Sequence, residues 1–313
     1  MLGASGALLA FPHAYRDERC HAAFDDVMQR VGAAEVYEAT GIQLMAINTL
    51  YQLVAHHRAE PDLLERVDRM VFIPDLLHFF LSGVRTVEAT IASTSQMTDA
   101  RSGAWATGLL ERLELPTAML GPITQPGTDI GAIRGEVADA TDAPQDLRVV
   151  LPAAHDTGSA VVAVPADPET SWCYLSSGTW SLIGAELDAP CMTDAAREAS
   201  FTNEGGVDGT IRFLTNIVGL WLVQECRRGL AARGETYDYA ELAALADEAT
   251  PFRTLLDVRL PALHVPGAAL ETIEDFARTT EQPVPDTPGA LVRCCLESVA
   301  ICLLYTSDAA DEG

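Results

Sequence analysis

The sequence predicts a soluble α/β protein made of two domains. The chain has 313 residues, and a single hydrophobic core rarely grows beyond about 250–300 residues. Strand-like and helical segments alternate evenly along it, which is typical of soluble α/β proteins. Residues 165–170 (PADPET) interrupt this pattern with proline and acidic residues and are the best linker candidate. We therefore expect one domain over residues 1–166 and a second over residues 167–304.

The first predicted domain begins with a turn and is then largely helical. Glycines in residues 3–6 predict a hairpin turn, and residues 15–19 (YRDER) form a charged cluster that is either a solvated strand end or faces a ligand. Residues 86–96, rich in Thr and Ser, indicate an extended segment or a loop. Apolar periodicity predicts helices over residues 21–39, 43–57, 61–70, 74–82 and 104–115, and a strand over 147–151.

The second predicted domain starts with two strands joined by a tight turn. An apolar run at residues 172–175 is followed by Ser-Ser-Gly-Thr-Trp-Ser at 176–181, and residues 203–209 (NEGGVDG) predict a glycine-rich hairpin. Apolar residues between 213 and 222 predict one long helix over about 212–233. Further helices are predicted over residues 239–249 and 289–304.

Composition excludes several classes of function. The net charge of −25 argues against nucleic acid or an anionic membrane as a partner. All twenty basic residues are arginine, which removes Schiff-base catalysis and the lysine of a GxxxxGK[ST] phosphate loop. The seven cysteines are scattered and lack CxxC spacing, so they predict neither a zinc site nor a disulfide framework. No apolar run approaches a membrane span in length and no export signal is recognisable, so we expect a cytoplasmic protein.

The triplet His155-Asp156-Thr157 is the first candidate site. It lies where a strand should turn into a helix, and there Asp156 or Thr157 could simply be the N-cap. In the functional interpretation, Asp156 is a general base that takes a proton from a sugar hydroxyl, an effect of about 10²–10⁴-fold in rate. A lone histidine before a helix is more often a packing residue, so His155 is assigned substrate contact at most.

The Ser-Gly turn at residues 176–181 is the second candidate site. Its hydroxyls and backbone N–H groups suit an anion such as a phosphate, although the same pattern is common in plain hairpins. Asn216 and Gln224 are eight residues apart on the predicted long helix, about 12 Å along its axis, and either touch two ends of one nucleotide or belong to a plain surface. A base beside a phosphate cradle would suit phosphoryl transfer to a sugar.

Taken together, these stretches resemble the FGGY carbohydrate kinases. The resemblance runs with few gaps from about residue 1 to 300. It is carried by YRDER at 15–19, GIQLMAINTLYQL at 41–53, PDLLHFFLSG at 74–83, HDTGSAV at 155–161, YLSSGTWSLIG at 174–184, NEGG at 203–206 and RFLTNIVGLWLVQECR at 212–227.

The resemblance implies a fold, an activity and a role for each candidate residue. The fold would be two domains of the actin-like/ribonuclease H-like class, and the activity ATP-dependent phosphorylation of the ketose L-rhamnulose at its 1-hydroxyl, with Mg²⁺. Asp156 would be the base, with His155 and Thr157 beside it at the sugar. Thr179 would lie at the ATP phosphates, with Asn216 and Gln224 at the nucleotide. Another ketose, such as fuculose or xylulose, and a non-catalytic actin-like binding module stay open as alternatives.

The sequence also departs from the family pattern. The family's Asp-bearing first strand with its Gly-rich phosphate hairpin would precede residue 1, and its Gly-Gly-Gly segment would follow residue 304. Residues 303–313 (LLYTSDAADEG) do not match the family helix, and we interpret 305–313 as a non-native tail. Ile91 stands where the family usually has Asn. We therefore expect a chain truncated at both ends, with little or no kinase activity by itself.

Overall fold

The computed structural model describes residues 1–15, 17–167, 170 and 172–311. The chain forms two compact units: unit 1 comprises Met1–Trp172 and Ala185–Leu214, and unit 2 comprises Cys173–Gly184 and Thr215–Gly313. The boundaries predicted from the sequence (1–166, 167–304 and 305–313) stay a prediction. Part of the expected linker (168 and 169), one residue of the charged cluster (Arg16) and the last two residues of the expected tail lie outside the described residues.

Unit 1 begins with the predicted hairpin turn. Leu2 forms an antiparallel bridge with Leu8, and the N–H of Gly6 donates to the carbonyl of Gly3 at 2.8 Å. The turn at residues 3–6 is therefore confirmed.

Helices make up most of unit 1. They are α1 (Arg19–Arg30), α2 (Ala33–Thr40), α3 (Thr49–Ala59), α4 (Pro61–Leu64), α5 (Ile73–Ser82), α6 (Ala89–Ser93), α7 (Thr107–Arg112), α8 (Gly135–Thr141), α9 (Asp156–Val162) and α10 (Asp194–Glu198). The single helix predicted over 21–39 is wrong, because Gly32 has a φ of 94° and breaks it into α1 and α2. The rings of Phe24 and Tyr51 meet edge to face at 4.9 Å between α1 and α3, inside the core of this unit.

Short strands connect the helices of unit 1. β1 (Val87–Glu88) pairs in parallel with β2 (Ile123–Thr124), and β3 (Asp129–Ala132) pairs antiparallel with β4 (Arg148–Val150). The strand predicted over 147–151 is therefore confirmed as β4. The prediction of an extended segment or a loop over 86–96 holds for β1 and for the turn at 94–96. It is wrong for Ala89–Ser93, because the side chain of Glu88 accepts from the N–H groups of Thr90 and Ile91 and starts α6 directly.

Four further strands form a sheet with the order β5-β6-β8-β7. They are β5 (Tyr174–Ser177), β6 (Trp180–Leu187), β7 (Phe201–Gly205) and β8 (Ile211–Val218). β5 and β6 pair antiparallel from Tyr174 opposite Gly184 to Ser177 opposite Ser181, which confirms the tight Ser-Gly turn. The N–H of Gly206 donates to the carbonyl of Thr210 at 2.8 Å and confirms the glycine-rich hairpin between β7 and β8.

The long helix predicted over 212–233 is wrong in its first half. Residues 211–218 (IRFLTNIV) form β8, and the helix that follows, α11, spans Trp221–Ala232. Four β-branched residues and a phenylalanine favour a strand there, and Gly219 and Leu220 separate the two elements. The apolar spacing fitted a helix because β8 is buried on both faces over much of its length, so its apolar residues do not alternate strictly.

Helices complete unit 2. After α11 come α12 (Tyr239–Glu248), a 3₁₀ turn (Pro261–His264), α13 (Ala269–Thr279) and α14 (Pro288–Asp311). Within the described part of the chain, one helical stretch, Pro288–Thr306, is long and apolar enough to cross a membrane by length and composition, contrary to the sequence-based expectation. Leu291, Cys294 and Cys295 of this stretch are buried in the core of unit 2. Helices of a protein core pack in this way, and they can be as long and as apolar as a membrane-spanning helix.

Candidate active site

The segment that leads into α9 is held by buried groups of unit 1. The N–H of Ala154 donates to Oε2 of Glu88 at 3.0 Å, and the N–H of His155 donates to Oγ1 of Thr90 at 3.1 Å. The hydroxyl of Ser159 donates back to the carbonyl of Ala153 at 2.7 Å. The backbone on either side of the triplet 155–157 is therefore fixed before any ligand binds.

Asp156 presents its carboxylate to solvent at the start of α9. Its side chain is 96% exposed, and its Oδ1 accepts from the N–H of Thr157 at 2.7 Å and lies 3.4 Å from the Thr157 hydroxyl. The N-cap of α9 is His155, and Asp156 is the first helical residue, so the interpretation of Asp156 or Thr157 as the N-cap is wrong. An exposed carboxylate on a fixed backbone can accept a proton from a bound hydroxyl.

His155 lies between the exposed carboxylate and a buried ion pair. Its Nε2 is 3.7 Å from Oδ1 of Asp156, while its Nδ1 is 2.9 Å from Nη2 of Arg212 and 3.3 Å from Oε2 of Glu204. Nη2 of Arg212 is itself 3.1 Å from that Glu204 oxygen, and the Arg212 side chain is fully buried. Arg212 also donates from Nε to the carbonyl of Gly205 at 3.1 Å.

Glu204 is ionised in this cluster. Burial raises the pKa of its carboxyl, but the charge of the nearby Arg212 guanidinium brings the pKa below its ordinary value. The cluster therefore holds a carboxylate and a guanidinium out of solvent on one side of the imidazole. The other side of the imidazole faces Asp156.

Glu88 is the centre of a second buried network behind the same segment. Its fully buried carboxylate accepts from the N–H groups of Thr90 (2.9 Å), Ile91 (3.1 Å) and Ala154 (3.0 Å) and from the Thr90 hydroxyl (2.6 Å). The N–H of Glu88 donates to Oδ1 of Asp75 at 2.9 Å. Asp75 is buried too, and burial raises the pKa of its carboxyl to about 7 despite two backbone hydrogen bonds that lower it.

Glu88, Glu204 and Arg212 also belong to this site and were not predicted from the sequence. Glu204 and Arg212 lie in segments that carried the family resemblance, but nothing in their spacing to His155 showed that they would meet it. For Glu88 and Arg212, the one usable signal was a charged residue flanked by apolar residues, since buried charges are normally paired. Ile91, the departure from the family pattern, uses its backbone N–H to bond Glu88.

In unit 2, the turn with Thr179 packs on the junction between β8 and α11. The N–H groups of Gly219 and Trp221 donate to the carbonyl of Thr179 at 3.2 and 3.1 Å, and the N–H of Leu220 donates to the carbonyl of Gly178 at 2.9 Å. A Cβ on Gly219 would lie 2.7 Å from the Gly178 carbonyl oxygen, so only glycine fits this approach. The Thr179 side chain is exposed.

Asn216 and Gln224 lie on two different elements. Asn216 is a half-buried residue of β8, and Gln224 is a half-buried residue in the first turn of α11. The 12 Å spacing along one helix is therefore wrong. Gly219 and Leu220 link the two elements, and their N–H groups hydrogen-bond to the turn that carries Thr179. Thr179, Asn216 and Gln224, the three predicted nucleotide residues, therefore belong to one region of unit 2.

Comparison with known families covers nearly the whole chain. Residues 8–163 match the N-terminal domain of the FGGY family of carbohydrate kinases, and residues 173–312 match its C-terminal domain. A rhamnulokinase of Bacteroides thetaiotaomicron is 42% identical over 301 residues, which are 96% of this chain and 61% of that protein. A rhamnulokinase of Enterococcus faecalis is 36% identical over 302 residues, 96% of this chain and 60% of that protein. The chain thus spans about 60% of the length of these curated relatives.

Solved structures agree on the fold. The ligand-bound xylulose kinase of Lactobacillus acidophilus superposes with a TM-score of 0.73 at 19% identity, over 96% of this chain and 60% of that one. The xylulose kinase of Rhodospirillum rubrum gives 0.73 at 22% identity, over 99% and 62%. These likenesses confirm the predicted two-domain actin-like α/β fold. The two domain matches and the rhamnulokinase relatives show that this chain belongs to the FGGY family of carbohydrate kinases.

Proposed function

We propose that the protein to which this chain belongs transfers a phosphoryl group from ATP to the 1-hydroxyl of L-rhamnulose. The observation that carries the proposal is Asp156, an almost fully exposed carboxylate on a fixed backbone. It lies in a chain 42% identical to a rhamnulokinase over 96% of its length. We also propose that the protein works in the cytoplasm, where ATP is available.

Asp156 would act as the general base. As the sugar hydroxyl oxygen bonds to the γ-phosphorus, its proton passes to Asp156, and the bond from the γ-phosphorus to the bridging oxygen breaks to release ADP. Positioning and charge supply most of the rate in such a transfer, since the phosphoryl group needs little covalent help. His155 and Thr157 would hold the sugar beside the carboxylate.

The residues of unit 2 would hold the nucleotide. Thr179 carries an exposed hydroxyl at a turn whose backbone is pinned by three hydrogen bonds from residues 219–221, which suits contact with the ATP phosphates. Asn216 and Gln224 offer amide groups that can both donate and accept, as recognition of a base or ribose requires.

Mg²⁺ would accompany the nucleotide, and the donor set fits that role. Among the residues that the structure describes, no group of three or more His, Cys, Asp or Glu side chains could hold a metal ion. Magnesium bound with ATP keeps several waters and takes much of its coordination from the phosphates, so it does not require a dedicated protein cage. Asp156 is kept for the role of base, and the ion would neutralise charge on the transferring phosphoryl group.

The test is a sugar-dependent ADP-release assay on the protein that carries this chain. L-Rhamnulose, L-fuculose and D-xylulose are offered side by side, and we expect L-rhamnulose to give the highest kcat/KM. Asp156→Asn should lower kcat by about 10²–10⁴-fold. Asp167→Asn, an acidic residue beyond the end of α9, is the control and should keep full activity.

Three outcomes would contradict the proposal. Near-normal turnover by Asp156→Asn removes the residue from the role of base. A higher kcat/KM for fuculose or xylulose would show that L-rhamnulose is not the preferred substrate. Binding of ATP and sugar without ADP release favours a non-catalytic module.

A further inference from the structure

The three groups around Nδ1 of His155 constrain where its ring carries a proton. A guanidinium N–H can only donate, and Nη2 of Arg212 lies 2.9 Å from Nδ1 with hydrogen-bond geometry. The carboxylate oxygen of Glu204 is farther from Nδ1, at 3.3 Å, and lies 3.1 Å from Nη2 of Arg212, but neither contact has hydrogen-bond geometry. The shorter contact therefore requires a lone pair on Nδ1.

A neutral imidazole with a lone pair on Nδ1 has its proton on Nε2. That nitrogen faces the exposed side of the cluster, 3.7 Å from Oδ1 of Asp156. A nitrogen that already carries a proton cannot accept another from a sugar hydroxyl. His155 is then a hydrogen-bond donor at the site, which leaves Asp156 as the group able to act as base.

A gain in stability does not explain the buried ion pair between Arg212 and Glu204. Arg212 is completely buried, and its Nη1 has no hydrogen-bond partner among the described residues. Buried ion pairs are often no more stabilising than apolar residues of similar volume, because removing both charges from water costs so much. The hydrogen bond that one ring nitrogen of a histidine makes sets which nitrogen carries the proton, and this gives the pair a role besides stability.

We infer that Arg212 and Glu204 are positioning residues that hold His155 in the Nε2–H tautomer, so that His155 donates to an oxygen of the bound ketose while Asp156 takes the proton. Glu204 holds Arg212 in place, and Arg212 sets the tautomer. Neither residue touches the substrate. This inference rests on the proposed function for the identity of the ligand, but the tautomer itself can be measured without any turnover.

The first experiment reads the tautomer directly. The 313-residue chain is labelled with ¹⁵N-histidine, and long-range ¹H–¹⁵N correlation spectra are recorded well above the ordinary histidine pKa of about 6.5. A His155→Gln sample assigns the signal among the seven histidines. We expect His155 to carry its proton on Nε2. A proton on Nδ1 in the unaltered chain overturns the inference, whatever the enzyme activity.

Two substitutions separate the roles of the ion pair. In Arg212→Met, Nδ1 faces Glu204 alone, so the proton should move to Nδ1 and donate to that carboxylate. In Glu204→Gln, the guanidinium remains, and the proton should stay on Nε2. Arg197→Met is the matched control, because Arg197 is a partly buried arginine of the same unit that pairs with Asp194 and Glu198 instead. Its spectrum at His155 should be unchanged.

A folded Arg212→Met chain that keeps the Nε2–H tautomer contradicts the inference. If this variant does not fold, the unaltered chain and Glu204→Gln still decide. A tautomer on Nδ1 in either one overturns the inference.

The second experiment asks whether the tautomer matters for transfer. In the ADP-release assay, Arg212→Met should lower kcat by about 10²–10³-fold, the usual loss when one preorganised donor is withdrawn, while KM for ATP stays the same. An equal loss in Arg197→Met would mean a general structural effect and contradict the inference. If the unaltered protein shows no sugar-dependent ADP release, the proposed function is wrong, but the tautomer measurement is unaffected.

Discussion

The two candidate regions are fixed by opposite means. In unit 1, the segment before α9 is held by buried charged side chains, with Glu88 bonding its backbone and Arg212 bonding His155. In unit 2, the turn before β6 is held by backbone hydrogen bonds to the junction at Gly219, where the absence of a side chain allows the contact. The first region depends on charge and pH, whereas the second depends on volume. Substitutions of similar size should therefore destabilise the first region by removing hydrogen bonds to charged groups, and the second region by introducing a steric clash.

The largest expected effect is at Glu88. Glu88→Ala removes the acceptor for the N–H groups of Thr90, Ile91 and Ala154, and each buried donor left unpaired costs about 1–3 kcal/mol. We expect the free energy of unfolding to fall by at least about 3 kcal/mol, measured by urea denaturation followed by circular dichroism. Glu111→Ala, at an exposed position of α7, is the control and should stay within about 0.5 kcal/mol of the unaltered chain. A loss below about 1 kcal/mol at Glu88 would mean that water replaces the carboxylate.

The next effect belongs to the turn of unit 2. Gly219→Ala places a Cβ 2.7 Å from the carbonyl oxygen of Gly178 and from Oγ of Ser181, and backbone must shift to relieve this. We expect a loss of about 1–3 kcal/mol, again from urea denaturation. Gly108→Ala is the matched control, since a Cβ there meets nothing within 4 Å and alanine is a better helix former by about 1 kcal/mol. Opposite signs for the two substitutions would support the volume argument, and a neutral Gly219→Ala would refute it.

The third effect tests whether unit 1 responds to pH. Burial raises the pKa of Asp75 to about 7 in the folded chain, above an unfolded value of about 3.9. The folded state then binds more protons than the unfolded state between these values, so the contribution of Asp75 to stability falls as the pH rises from about 4 to 7. Asp75→Asn cannot titrate, and its amide meets one of the two backbone donors at Phe72 and Glu88 unfavourably.

The quantity to measure is the difference in unfolding free energy between the unaltered chain and Asp75→Asn, as a function of pH. We expect the unaltered chain to be the more stable near pH 5, and the difference to shrink as the pH approaches 8. Burial lowers the pKa values of His56 and His78, which adds an opposite slope, but both chains share it and it cancels. A difference that is constant with pH would show that Asp75 is ionised throughout.

The same contrast explains how far the sequence could predict this protein. Turns with glycine at fixed positions, such as residues 3–6 and 176–181, were predictable because their backbone requirement is local. The start of α11 was not, because a strand buried on both faces at 211–218 has the apolar density of a helix. The actin-like fold came from the family resemblance, and composition and periodicity alone gave only α/β.

The candidate site also contains residues that the sequence could predict and residues that it could not. Asp156 could be singled out, since a single acidic residue between a strand and a helix is visible in the sequence. Glu88, Glu204 and Arg212 could not be connected to it, because the contacts join residues up to 66 positions apart along the chain and depend on tertiary folding. The exposed group proposed as the base is thus visible in the sequence, whereas the buried groups that hold it are not.

The smallest expected effect on stability is at Asp156, and it sharpens the comparison most. Its carboxylate is 96% exposed, so Asp156→Asn should change the unfolding free energy by no more than about 0.5 kcal/mol, part of which is the loss of a negative charge at the N-terminus of α9. The same substitution is expected to remove most sugar-dependent turnover, whereas Glu88→Ala should lower stability first. Urea denaturation of both variants under one condition checks this. A loss of more than about 1.5 kcal/mol in Asp156→Asn would make Asp156 part of the supporting framework. In that case the exposed and buried carboxylates of unit 1 would not have separate roles.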